Sequence, residues 1–367
     1  MIQTVDENTP TGLFYGWKIV AALFVILAFT SGLGFYNHSV ILASLSNEAG
    51  FPLTIASSDV SVFFLVSGFS GIVIGSLLEK YDVRLIIGVG AILASGALIV
   101  LGFVTEVWQL YIVYVFFGIG FSASGLLPAT TLVARWFHQG RARALSFAST
   151  GLSLGGVMIT PLSASLVASE GIAEASSWMG IVYFLGVFPV CILILRSYPS
   201  DIGLQPDGAD RSADSPANLD GTVFSVAIRG RYFWTLSISY LFVMLAQVGG
   251  IAHQYGIIAY HLDASLTAYG LAVLPLFSIL GRLAGGFIID RVSTSRFTVF
   301  MMLMQSVALG LMAVAPGSIV ILAALAMFGI TVGNLLMLQP LLVAEVYGLI
   351  SYSRIYSWSN FVTIVGI

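Results

Sequence analysis

The 367-residue chain is 58% hydrophobic and only 8% charged, with a mean hydropathy of +0.99 and a net charge of −3. Soluble domains carry about 25% charged residues, so this composition excludes a water-exposed globular chain and points to a polytopic membrane protein. The one cysteine, Cys191, excludes a disulfide framework and reads as a buried thiol in an apolar run.

Apolar runs of about 20 residues, each long enough to cross a hydrocarbon core of ~30 Å, recur from one end to the other. In chain order the expected spans are 17–36, 56–78, 84–104, 108–134, 144–168, 176–195, 232–260, 266–289, 297–315 and 318–344, with an eleventh starting near 352. Spans of this length form helices; the strands of a membrane barrel are shorter and alternate in polarity. The first span follows an acidic leader (Asp6, Glu7) and is too long for a signal peptide, so it reads as a retained helix.

Fourteen residues are Lys or Arg, and all but one fall in alternate loops or at the ends of spans on the same side. Lys18, Lys80, Arg84, Arg135, Arg141, Arg143, Arg196, Arg211, Arg229, Arg231, Arg291, Arg296 and Arg354 belong to that set, while the opposite loops contain none. The positive-inside rule then places these loops and the amino terminus in the cytoplasm. The expected location is a multi-pass position in the cell (cytoplasmic) membrane.

The sequence also repeats itself. "GSLLEK" (75–80) and "GFIIDR" (286–291) both end a span with Gly, an acid four residues on and then a base, and the same 211-residue offset carries Arg143 onto Arg354. Small-xxx-small pairs, Gly71/Gly75 and Gly281/Gly285, invite close helix packing. Repeated halves joined by a polar linker mark many transporters. The expected organisation is a first six-helix bundle at 1–197, a linker at 198–230 rich in Pro, Gly, Asp and Ser, and a second bundle at 231–367. By the offset, the second bundle stops within its fifth helix, so the expectation is a fragment of a twelve-helix protein.

"GSLLEKYDVR" and "GRLAGGFIIDR" resemble the two copies of the loop motif of the major facilitator superfamily, with Glu79 where Asp is usual and Asp82 where Gly is usual. "FYGWKIV" (14–20), "RWFHQGRARALSFASTGLSLGG" (135–156), "PSDIGLQPDG" (199–208) and "AHQYGIIAYHL" (252–262) are similar to the branch holding bacterial oxalate/formate antiporters and monocarboxylate transporters. The resemblance implies two pseudo-symmetric six-helix bundles around a cavity that opens alternately to each side. It also implies that the cation of the eighth helix, here Arg282, meets a substrate carboxylate. Ser278 stands where proton-linked animal carriers have an Asp, and no Lys occurs at 352–367 to pair with the Arg as in oxalate exchangers. One cation in place of two favours a monoanion.

Arg282 is the fourteenth base. It lies eight residues before Asp290, about 12 Å along a helix and near the bilayer midplane. A central Arg costs roughly 2.5–3.5 kcal/mol on insertion scales. Three outcomes compete: snorkelling to the cytoplasmic face, a structural ion pair, or a wet site where a mobile anion supplies the partner. The acids lie in loops or at span ends, with Asp59 and Glu345 nearest to exceptions, so the expectation is an Arg left unpaired for substrate. Guanidinium suits a carboxylate because its planar fork donates two parallel hydrogen bonds.

His253, Gln254, Asn37 and Asn334 are the companion candidates for substrate binding, each competing with a plain helix-to-helix hydrogen bond. Glu79, Lys80, Arg84, Arg143, Asp290 and Arg291 are candidates for ion pairs that close the cytoplasmic side, against simple anchoring. No HExxH or GxxxxGK[ST] occurs, and "GVGAIL" (88–93) lies within a span, so neither an enzyme nor a cofactor is expected. The expected function is secondary transport of small organic anions, with a carboxylate substrate and the lipid bilayer as partners, as a monomer with no nucleic acid. The alternative is an exporter of drugs or other neutral or cationic molecules, a class that usually wants an acid inside the membrane.

Overall fold

The computed structural model describes residues 14–48, 50–207, 221–261, 264–314 and 317–365. Asp6, Glu7 and Arg211 lie outside the described residues. The expected spans appear as helices. α1 (Tyr15–Thr30) runs through a π-turn (Ser31–Phe35) to α2 (His38–Asn47), and α3 (Leu53–Leu78) and α4 (Val83–Leu101) follow. Then come α5 (Val107–Ser124), α6 (Leu126–Trp136), α7 (Arg141–Leu154), a second π-turn (Gly155–Ile159) and α8 (Thr160–Ile194). Beyond the linker lie α9 (Phe224–Ala227), α10 (Arg231–His261), α11 (Ala264–Ile288), α12 (Thr294–Val314), α13 (Ser318–Tyr347) and α14 (Tyr352–Ile364). Among the described residues eight segments are long and apolar enough to cross a membrane.

One of these segments, Arg141–Ile194, holds both the fifth and the sixth expected spans. The chain reverses within α8 at Gly171, whose φ of 78° is open to glycine at no steric cost. Contacts on either side of it fix the reversal. Before Gly171 the chain runs parallel to α1, with Gly151 against the Phe24 carbonyl, Gly155 against Ala28 and Ser163 bonded to Asn37. After it the chain runs antiparallel to α4, from Ala173 beside Gly102 through Gly180 beside Ser95 to Cys191, whose Sγ reaches the Arg84 carbonyl. The Glu48 carboxylate accepts the Ile172 amide at 2.8 Å, satisfying a donor that the turn leaves free.

The two π-turns touch. A Cβ on Gly32 would stand 2.7 Å from Ile159 Cβ and 2.8 Å from the Gly155 carbonyl oxygen. Lipid gives apolar helices no reason to associate, so such close backbone approach, with its dispersion contacts, is what joins them.

The basic loops gather at one end. There Arg135 donates to the Leu78 carbonyl, Trp136 to the Arg196 carbonyl at 2.9 Å, and Tyr15 to the Ile194 carbonyl at 2.9 Å. Asp82 caps α4, accepting from the Arg84 amide at 2.8 Å and the Ser197 hydroxyl at 2.7 Å. Arg84 bonded to Asp82 holds that carboxyl down at about 2. Asp207, from the linker, accepts the amides of His138, Gln139 and Gly140 and so ties the linker to the start of α7.

Gly151 tests the α1–α7 contact. A methyl there would sit 3.0 Å from the Phe24 carbonyl carbon and closer still to its oxygen, backbone that no rotamer change can move. Gly151→Ala is expected to destabilise by about 1–3 kcal/mol, read as an earlier thermal melt in detergent. Gly96→Ala, with nothing within 4 Å, is the control. Equal melts for the two variants would refute the contact.

Candidate functional site

Arg282 is buried, 1% exposed, on α11. The expectation of an unpaired guanidinium is not met. Nε donates to the Gly333 carbonyl on α13 at 2.8 Å, and Nη1 donates to the Ser149 carbonyl on α7. The backbone beside it is engaged as well, with the Ser146 hydroxyl donating to the Arg282 carbonyl at 2.7 Å. Two charge-assisted hydrogen bonds, each worth about 1.5–3 kcal/mol, offset the roughly 2.5–3.5 kcal/mol cost of a central Arg. The acceptors are neutral, however, so the positive charge itself stays. No acid lies within ion-pair distance of Arg282 among the described residues. Arg282 therefore neither snorkels nor sits in an ion pair; it is clasped by carbonyls from one helix on either side of the linker.

The companions divide. Asn334 joins the Arg282 neighbourhood: its Nδ2 donates to the Gly281 carbonyl at 2.8 Å, one residue before the Arg, while its Oδ1 is buried without a partner. Asn37 does not serve a ligand here, because its Oδ1 accepts from Ser163 at 2.6 Å and its Nδ2 approaches the Met179 sulfur at 3.2 Å. His253 is exposed on α10, and Gln254 is buried and engaged. Ser278, at the position noted for its missing Asp, faces Ser153 at 3.5 Å.

One residue near the cation escaped the sequence reading. Tyr36, next to Asn37, interacts electrostatically with Arg282, and its ring lies over Gly156, where a Cβ would come within 2.6 Å of it. The signal was available in the sequence, since a tyrosine beside two polar residues at a span end presents a hydroxyl on an apolar body. Its direction was not.

At the basic end the repeat becomes geometry. Gly75 of α3 packs on Ser357 of α14, and Gly286 of α11 packs on Ser146 of α7. The 211-residue offset converts one contact into the other, partner for partner. The same holds for the charges. Arg143 pairs with Asp290 at 2.6 Å, and Arg354 stands beside Glu79. Burial pushes the Glu79 carboxyl up, and Arg354, Arg135 and Lys80 pull it back. Arg84 departs from the expected gate, since it pairs with Asp82 on its own side of the linker at 2.5 Å. Lys80 and Arg291 are exposed and enter no ion pair among the described residues. The acids also need a correction: Asp59 is fully buried, 0% exposed, inside α3.

An exposed ion pair is worth about 0.2–1 kcal/mol, so breaking Arg143–Asp290 shifts a closure equilibrium more than it unfolds anything. With Ser146→Cys as reporter, maleimide labelling is expected to rise about 1.4- to 5-fold on Arg143→Gln or Asp290→Asn. The exchange of the two charges should restore the slow rate. Unchanged labelling would leave the pair without a closing role.

The Major Facilitator Superfamily profile matches residues 24–367. "MFS-type transporter 1" of an Ophiocordyceps species is 24% identical over 92% of this chain and 73% of its own length. The "Aspyridones efflux protein apdF" of Emericella nidulans is 26% identical over 78% of this chain and 56% of its own length. In fold, the chain is similar to the fucose:proton symporter of Escherichia coli, with a TM-score of 0.71 at 16% identity over 96% of this chain and 90% of that one. The helices, their polar contacts within the membrane and the family match agree: this chain is a multi-pass transporter of the Major Facilitator Superfamily.

Proposed function

We propose that this transporter exports an organic small molecule by alternating access between two pseudo-symmetric bundles, with the basic end in the cytoplasm and shut in the present conformation. The observation that carries the reading is the state of Arg282. A guanidinium clasped by the Ser149 and Gly333 carbonyls offers a small carboxylate no ready two-pronged anchor. Two further observations support it. The similar aspyridones protein is named for efflux. An apolar recess of about 430 Å³ lies between α1, α7 and α8, on the first set of helices and apart from Arg282; it opens outward past Met158, Leu162 and Trp178, each more than half exposed, and offers an organic molecule an apolar surface.

The clasp also sets the cycle. Ser149 belongs to the first set of helices and Arg282 to the second, so their bond must break when the basic end opens. The freed guanidinium then faces the cytoplasm at the moment substrate enters from it. A molecule with an acidic or electron-rich oxygen replaces the Ser149 carbonyl, and return to the closed state restores the carbonyl and expels the ligand outward. A second reading, transport of monocarboxylates by symport or exchange, is favoured by one fact: the positive charge of Arg282 has no acidic partner among the described residues.

The full-length protein in inside-out vesicles separates these readings. Fluorescein, ethidium and labelled lactate are the probes. Saturable uptake of fluorescein, reduced about 10- to 100-fold in Arg282→Gln by loss of one charge-assisted bond, is the expected result. Uptake of lactate alone would establish the second reading. Movement of ethidium untouched by the substitution would remove Arg282 from the substrate path.

A further inference from the structure

Beside Arg282 two hydroxyls are buried with most of their hydrogen-bonding capacity unused. Ser153 on α7 and Ser278 on α11 are 4% and 2% exposed. Among the described residues, the one hydrogen bond that either hydroxyl makes is to the other, at 3.5 Å. Hydroxyl bonds centre on about 2.7–2.8 Å, so this one is long, and each oxygen can donate once and accept twice. Thr150 on the same helix, by contrast, donates to the Ser146 carbonyl at 2.8 Å, the back-bond that a helix offers a buried hydroxyl. Ser153 and Ser278 make no such bond and face each other across the seam between the two sets of helices.

The pair lies next to the guanidinium. A Cβ on Gly333 would stand 2.2 Å from the Ser278 carbonyl oxygen, so α13 lies against Ser278 there, and the Gly333 carbonyl takes Nε of Arg282. Helical side chains lean toward the amino end of their helix, which carries the guanidinium back over the turn of Ser278. On α7 the second acceptor, the Ser149 carbonyl, is one turn from Ser153. Charge, carbonyls and hydroxyls thus share about 6 Å of helix. Nη2 of Arg282 donates to no acceptor among the described residues, and no acid there pairs with the cation. An unspent nitrogen on a cation only 1% exposed suits an anionic oxygen, and two hydroxyls within a turn of it suit a neutral one. Close packing alone would be served by alanine, as at the fully buried Ala148 of the same helix.

We infer that Ser153 and Ser278 determine which acids are taken: the cargo is an organic acid that carries a hydroxyl or carbonyl oxygen within about 6 Å of its acid group. The inference rests on the export reading, in which Arg282 meets the cargo, and adds the chemical class to it. When the basic end opens and the Ser149 bond breaks, the Ser153–Ser278 bond breaks with it, since both span the same two helices. The acid oxygen goes to the guanidinium and the neutral oxygen to the two hydroxyls. An acid without a second oxygen satisfies the cation and leaves both hydroxyls parted and unpaired, which costs affinity. A site built to bond an oxygen therefore rejects the bare acid. Closing the seam restores the hydroxyl pair and the carbonyl clasp together, and so removes both holds on the cargo.

Benzoate and its hydroxy isomers test this as competitors of fluorescein uptake by the full-length protein in inside-out vesicles. In wild type the best isomer is expected to compete about 2- to 10-fold better than benzoate, the worth of one hydrogen bond. Ser153→Ala combined with Ser278→Ala should bring that ratio to unity, whereas Arg282→Gln should weaken benzoate and its isomers alike. The ratio does not vary with the amount of folded protein, so lost packing alone would leave it in place. Should the double variant be inactive, the single variants decide by the same ratio. No isomer better than benzoate in wild type would overturn the assignment, as would a ratio that survives both substitutions. Fluorescein uptake indifferent to Arg282→Gln would instead remove the export reading. A second arm needs no transport. In Ser146→Cys with Cys191→Ser, maleimide labelling is expected to rise more with the best isomer than with benzoate, because a ligand that binds the open seam populates it. Erasure of that difference by the alanine pair supports the assignment, and equal labelling with isomer and benzoate before that substitution refutes it.

Discussion

The structure turns on a permanent cation held near the middle of the membrane by carbonyl oxygens alone. Side-chain acids would neutralise Arg282; carbonyls solvate it and leave its charge in place. That choice has two consequences. The bonds to Ser149 and Gly333 fasten helices on both sides of the linker, and fastening through neutral acceptors is reversible at modest cost, because the guanidinium exchanges one oxygen for another. A salt bridge at that depth would be harder to break, since parting two buried charges leaves both uncompensated. A transporter needs a central contact that holds firmly in one state and yields in the next.

Around that contact the repeat supplies symmetry, and the two copies have diverged. Gly75 on Ser357 and Gly286 on Ser146 are the same packing contact made twice. The charges beside them differ. Arg143 and Asp290 form a close pair at 2.6 Å, whereas Glu79 shares its surroundings with Arg354, Arg135 and Lys80, keeps one unpartnered oxygen and lines a small cavity with Arg135 and Tyr198. One of the two repeated contacts is therefore a defined ion pair, while the other is a looser basic cluster around a single acid. Arg84, which the loop motif puts within reach of the gate, is taken up by Asp82, the residue that replaces the usual Gly. An acid at that position caps α4 and keeps Arg84 paired on its own side of the linker.

Much of this was legible because the bilayer imposes it. Span lengths follow from hydrocarbon thickness, the gathering of Lys and Arg at one end from their alternate loops, and the repeated contacts there from a 211-residue echo in which every partner recurs. Three features were not legible, each for its own reason. The partners of Arg282 are backbone oxygens, which every residue carries, so no side chain advertises them. Asn37 and Tyr36 are neighbours that face different surroundings, and the helical rotation that decides between them passes through a π-turn that no sequence period predicts. Asp59 sits near the end of its span, where an acid reads as interfacial, and only packing by α2 and α5 shows that it is sealed.

Asp59 also bears on the choice between the two transport readings. The export alternative asks for an acid within the membrane, and with every acid assigned to loops or span ends that requirement counted against it. A fully buried carboxyl with no partner on either oxygen removes the objection. At the same time the clasp on Arg282 withdraws the free cation on which the small-carboxylate reading depended. The two corrections are independent, one made on α3 and the other where α7, α11 and α13 meet, and they move the balance in the same direction. Arg282 on α11 and Asp59 on α3 lie in separate places, and no ion pair joins them among the described residues. A polar group kept at such depth is costly in a membrane, so each is held by the packing of the helices around it rather than by a counter-charge.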